Sequence, residues 1–129
     1  MRRGPKEEVH GAPLRCGESV EHHWIRASSA AGSPLFVVRK EFAAAEHGLA
    51  ALAGSSHDVG VLGYTLGGGI SWLARKHGLS ANAVVSADIV EADGNARTID
   101  WSNDPDLFWA IRGGGGSFAV VTALWVGVE

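Results

Sequence analysis

The pattern of apolar and polar positions divides the chain into two stretches of different character. Up to about Pro34 no apolar residue recurs with a helical or strand period, and Pro5, Pro13 and Pro34 stand among glycine, serine and mixed charges. That composition predicts a poorly ordered arm. Beyond Leu35 periods appear. Lys40 to His47 is helix-prone, with Phe42, Ala45 and Leu49 set to face inward and Gly48 placed as a C-cap. Ile70, Leu73, Ala74 and His77 fall at i, i+3, i+4 and i+7, which predicts a one-faced helix closed by Gly78.

The second half reads as strands around a helix. Val84 to Glu91 is rich in β-branched residues, Asp93-Gly94 signals a tight turn, and Ala96 to Trp101 returns as the partner of a hairpin. Asp104 and Pro105 form an N-cap followed by proline at the first helical position, with Asp106 in the first turn where the helix dipole favours a negative charge. Leu107, Phe108 and Ile111 make the inward stripe, and Gly113 to Gly116 end the helix. From Phe118 to Val128 both faces are apolar: Phe118, Val120, Leu124 and Val126 on one, Val121, Ala123 and Trp125 on the other. A strand of that kind is expected inside a layered structure.

Composition narrows the possible functions. Of 129 residues 46% are hydrophobic and 19% charged, the balance of a folded body rather than a disordered chain. A net charge of -3 offers no basic face for a phosphate backbone, so no nucleic-acid partner is expected. The single cysteine, Cys16, excludes an internal disulfide and a cysteine-built zinc cage. No run approaches the roughly 20 apolar residues that span a bilayer, and no apolar signal core follows the basic start, so the expectation is a cytoplasmic chain with no membrane partner. Glu21, His22 and His23 lack a third ligand at useful spacing; a solvated stretch accounts for them better than a metal.

Glycine is the informative residue. Fourteen of the 18 lie from Gly48 onward, and the run Gly54 to Gly69 leads straight towards the helix expected at Ile70. Bare amides at a helix N-terminus, with glycines that admit close approach, make a grip for a nucleotide or dinucleotide phosphate. Glycines that merely allow a helix to pack closely on a sheet would read the same way. The run is neither a P-loop, since Ile70-Ser71 follows Gly69 in place of Lys-Ser/Thr, nor a G-x-G-x-x-G fingerprint, since Trp72 stands where the last glycine belongs.

Three motifs in order carry a resemblance. Val59-Gly60-Val61-Leu62-Gly63-Tyr64-Thr65-Leu66-Gly67-Gly68-Gly69-Ile70-Ser71-Trp72 and onward to Leu79, then Val90 to Gly94, then Asp104-Pro105-Asp106-Leu107-Phe108-Trp109-Ala110-Ile111-Arg112-Gly113-Gly114-Gly115-Gly116 and onward to Thr122, together resemble berberine-bridge-enzyme-like flavoproteins with a PCMH-type FAD-binding domain, of the vanillyl-alcohol-oxidase superfamily. The resemblance implies an α+β fold, the second FAD-binding subdomain, with a mostly antiparallel sheet flanked by helices and incomplete at this length. It divides the chain into an unmatched arm at residues 1–38 and a partial FAD-binding domain at 39–129. By position it implies FAD contacts at Ser55, Gly60, Gly63, Gly67, Gly68 and Gly69 and a backbone contact to adenine near Val90. Tyr64 corresponds to the position that approaches the flavin, or else is simply a packed aromatic. Arg112 has an equal claim to a structural and a functional role.

The chain also departs from that family. No Arg-x-Gly-Gly-His loop, whose histidine often holds the flavin covalently, occurs in residues 1–47, and Ser56 stands where some members use a second, cysteinyl link. The implied cofactor is therefore FAD bound non-covalently. Asn82-Ala83 replaces the usual Asp-Asn pair, and Ala119 stands where glycine is common. The family's substrate domain and catalytic base have no counterpart, so the catalytic residues are unassigned, no metal is expected, and a small-molecule substrate requires a substrate domain from elsewhere. Three functions follow: an FAD-linked oxidase or dehydrogenase acting on an alcohol, sugar or amine carbon; a truncated, inactive remnant or a module needing a partner chain; or a diphosphate-binding regulatory module without redox work.

Overall fold

The computed structural model describes residues 20–21, 24–28, 44–56 and 58–128. In chain order the elements are β1 (Val20–Glu21), β2 (Trp24–Ser28), α1 (Val61–Leu66), α2 (Ala74–His77), a 3₁₀ turn (Ser80–Ala83), β3 (Val84–Val90), β4 (Ala96–Asp100), α3 (Pro105–Gly114), a second 3₁₀ turn (Gly115–Ser117) and β5 (Val120–Gly127). The strands form one antiparallel sheet in the order β1-β2-β5-β3-β4. The architecture is α+β, as expected.

The hairpin forms where the turn signal stands. Val90 pairs with Ala96 and Ser86 with Asp100, and Gly94 takes a φ of 87° while its amide donates to the carbonyl of Glu91. Asp104 caps α3, its carboxylate accepting from the Leu107 amide at 3.2 Å, with Pro105 and Asp106 in the first turn. Arg97 holds that cap in place by pairing with both Asp104 and Glu91. Phe108 and Ile111 are fully buried and Leu107 packs beside them. The helix kinks at Arg112 and Gly113, where backbone angles leave the helical region. The core fills one face of the sheet: Val84, Ala87, Ile89, Ile99, Leu124 and Val126 meet Leu66 of α1 and Phe108 and Ile111 of α3. The other face is polar. Arg26 lies over the Trp125 ring at 5.0 Å and 3.6 Å from Asp88, which accepts from Thr98 at 2.6 Å.

Several expectations need correcting. Trp24–Ser28, inside the stretch read as an arm, is β2 and pairs along its length with β5, which makes β5 the central strand. The alternation expected for Phe118 to Val128 breaks at Thr122. Asp88 pairs with Ala123 but Ile89 with Val121, so Thr122 is an extra residue that resets the two-residue period. Ala119 and Val121 therefore join Leu124 and Val126 on the core side, while Phe118 and Val120 are 54% and 66% exposed. A second shift between Val84 and Ser86 does the same in β3.

The helix expected over Ile70 to His77 shrinks to four residues with none buried. Ile70 is 76% exposed, although Gly78 does cap the turn. Near Gly48 the buried residue is Ala44 rather than Ala45, and Phe42 lies outside the described residues, as do His22 and His23.

Candidate functional site

Six of the sixteen residues of the glycine run are helix. Val61–Leu66 forms α1, with Gly60 at its N-cap and Gly67 at its C-cap. The amides of Tyr64, Gly67 and Gly68 donate to the carbonyls of Gly60, Gly63 and Thr65. They are consumed by the fold, so the expected row of bare amides leading into a helix at Ile70 does not exist in that form. What replaces it is a cavity of about 400 Å³ beside α1.

That cavity brings together Ser55, Gly63, Tyr64, Gly67 and Gly69 of the expected set, and adds Gly54, Ser56, Val59 and Ile70. Gly60, Gly68 and Val90 are not among its lining residues. Gly60 is spent on capping α1, Gly68 faces Leu79, and Val90 sits at the far end of β3 from the 3₁₀ turn, beside Ala96 and Val120. Six residues of strand put Val90 about 20 Å from Val84. Ile70 was hidden from sequence reasoning by the helical period that predicted its burial.

The cavity glycines have different reasons to be glycine. A Cβ on Gly69 would stand 2.6 Å from the Cβ of Ser80 and 3.0 Å from the Tyr64 ring, and its φ is 72°. One on Gly54 would come within 3.0 Å of the other edge of that ring. Tyr64 is thus a packed aromatic, seated between two glycines and against Ala27, Ala53 and Val61, that also forms a wall of the cavity. Close packing explains both glycines without a ligand. It does not explain Gly63. That residue lies inside α1, faces the cavity, and would meet nothing within 4 Å if it carried a Cβ. Glycine inside a helix costs about 0.5–1 kcal/mol relative to alanine, so the fold alone gains nothing from it.

Ser55, Ser56 and Tyr64 are the lining residues with polar side chains. The Ser56 hydroxyl donates to Asp58 at 2.6 Å. Arg75, Lys76 and His77 lie on α2 and are not among the lining residues. Arg112 is used in packing: its guanidinium lies 4.1 Å from the Trp101 ring centre and 4.8 Å from that of Phe108, and its Nε donates to the Phe108 carbonyl at 3.3 Å. Burial lowers its pKa. Among the described residues no group of three His, Cys, Asp or Glu side chains is placed to hold a metal, and no helix is long and apolar enough to cross a membrane.

Residues 17–100 match the family described as FAD binding domain. The chain belongs to that family. The matched span begins well inside the stretch expected to be an unmatched arm and takes in β2, which agrees with the place of β2 in the sheet. Among its relatives, the FAD-binding domain is 47% identical over 75 residues to the FAD-linked oxidoreductase pgmH of Aspergillus terreus, covering 58% of this chain and 15% of the relative. It is 38% identical over 106 residues to berberine bridge enzyme-like D-2 of Nicotiana tabacum, covering 81% and 18%. Among solved structures, glucooligosaccharide oxidase of Acremonium strictum, described with a 6-S-cysteinyl, 8α-N1-histidyl FAD, superposes with a TM-score of 0.77 at 30% identity, covering 86% of this chain and 23% of that one. The fold is thus that of the vanillyl-alcohol-oxidase-type flavoproteins, and the chain spans about a fifth of the length of the proteins it matches.

The residues of the FAD-binding domain suit part of such a cofactor. Val59, Tyr64 and Ile70 give apolar walls, Ser55 and the glycine backbones give polar edges, and the bare Cα of Gly63 leaves room for close approach.

Proposed function

We propose that the chain is the FAD-holding part of an FAD-linked oxidoreductase that oxidises an alcohol, sugar or amine carbon, with the cofactor bound through the cavity beside α1 and without a covalent link. The observation that carries this is Gly63, a helix-interior glycine open to the cavity that packing does not require. When bound, FAD would supply two-electron, hydride-transfer chemistry. The chain's own part is to bind and orient. The Gly67–Gly69 turn and Gly63 let backbone approach the ligand, Tyr64 and Val59 exclude water from one side, and Ser55 offers a hydroxyl at the edge. Ser56 turns its hydroxyl to Asp58 and provides no thiol for a covalent link.

Binding of a small-molecule substrate falls to polypeptide beyond this span. Ile70 in the cavity wall and Trp72 two residues on, 76% and 83% exposed, favour a chain that packs against more protein.

Titration of the purified chain separates the readings. Saturable quenching of FAD fluorescence, with ADP binding much more weakly, supports the proposal. Equal affinity for ADP and FAD points to a diphosphate-binding module, and no uptake of either points to an inactive remnant.

A further inference from the structure

Two buried hydroxyls lie outside the cavity wall. Thr65 on α1 and Ser80 at the start of the 3₁₀ turn are both fully buried, and their oxygens lie 3.2 Å apart. Between them runs the Gly67–Gly69 turn, tied at both ends to the same two residues. The Thr65 carbonyl accepts from the Gly68 amide, the Gly69 carbonyl accepts from the Ser80 amide at 2.9 Å, and the Gly68 carbonyl accepts from Ala81 at 3.0 Å. The hydroxyl contact closes this ring.

The ring fixes two peptide planes. In a trans peptide the N–H points opposite to the C=O of the same unit, and the chain has no cis peptide bond among the described residues. The Gly68 and Gly69 carbonyls are committed to the 3₁₀ turn, so the amides of Gly69 and Ile70, which share those units, are turned away from it. Gly69 and Ile70 both line the cavity.

We infer that Thr65 and Ser80 are positioning residues: their hydroxyl contact locks the Gly68–Gly69 and Gly69–Ile70 planes so that the Gly69 and Ile70 amides face the cavity as a pair of donors for a bound diphosphate. The Ile70 amide is thereby added to the expected contacts. The identity of the ligand rests on the FAD reading; the locking of the planes does not. The contact can be lost from either side, so the informative variant removes both hydroxyls, Thr65→Val with Ser80→Ala.

The test is amide hydrogen exchange on the full chain without ligand, followed by FAD titration. In the double variant, exchange at Ser80 and Ala81 rises at least tenfold while Ala87 and Ile89 in β3 keep their protection, and FAD affinity falls at least tenfold. Thr65→Ser, which keeps a hydroxyl, returns both quantities to near the parent values. A merely structural role would raise exchange across β3 as well. Unchanged exchange at Ser80 and Ala81 overturns the inference, as does an increase shared equally by β3 or a loss of fold in Thr65→Ser. If the parent chain takes up no FAD, the FAD reading fails, and the exchange pattern still decides whether the planes are locked.

Discussion

Gly69 and Ser80 stand so close that a single added carbon at Gly69 would lie 2.6 Å from the Ser80 Cβ. Two hydrogen-bonded segments meet at that point, the glycine turn after α1 and the 3₁₀ turn before β3, and neither can move without disturbing the strand that follows.

Gly69→Ala therefore combines a left-handed backbone with a backbone-rooted clash. A left-handed non-glycine residue costs about 1–2 kcal/mol and overpacking about 1–3 kcal/mol more. We expect a loss of about 2–5 kcal/mol in urea unfolding. A loss below about 1 kcal/mol would mean that the 3₁₀ turn can yield.

Gly63→Ala has the opposite sign for stability. The added methyl points into open space inside α1, so the chain should gain about 0.5–1 kcal/mol. FAD affinity should fall at the same time, because the methyl occupies the cavity wall. A variant that is stabilised and binds FAD as well as the parent removes Gly63 from the site.

Phe108→Ala and Trp109→Ala test which face of α3 holds the fold. Phe108 is fully buried beside Arg112 and Trp101, whereas Trp109 is 69% exposed. Removal of the Phe108 ring should cost about 3–5 kcal/mol, a large share of the stability of a small domain. The Trp109 change should stay within about 0.5 kcal/mol. Paired denaturation curves decide, and a similar loss in both variants would show that Trp109 is covered in solution.

The acid limb of stability should report Asp104. Its pKa lies below the ordinary 3.8, first because Arg97 donates to it and then because the Leu107 amide does. A carboxyl with a depressed folded pKa adds stability above its ordinary value and loses it as pH falls through the folded value. The melting temperature should therefore hold between pH 7 and about pH 5 and drop below about pH 4. Asp104→Asn keeps a capping oxygen and tolerates the φ of 59°, so it should flatten that drop while leaving α3 formed by circular dichroism. An unchanged acid limb would show that other carboxylates set it.

Elements whose signal is local were legible in the sequence. The β3–β4 hairpin follows from Asp93-Gly94, and the start of α3 follows from Asp104-Pro105, because a turn or a cap is decided by a few adjacent residues. Three spaced motifs gave the cofactor class, which the match over residues 17–100 supports. Of the positions that the resemblance marks as FAD contacts, Ser55, Gly63, Tyr64, Gly67 and Gly69 line one cavity.

Tertiary structure decided what depends on distant partners. Trp24–Ser28 shows no period of its own and becomes β2 because β5 offers it an edge to pair with. The extra residue at Thr122 exists only relative to Asp88 and Ile89 across the ladder, so no reading of β5 alone could show which side Val121 faces. The reasons for individual glycines were equally out of reach. Gly69 is required by Ser80, eleven residues away in the chain, while Gly63 is required by nothing in the fold, and a sequence prints both as the same letter.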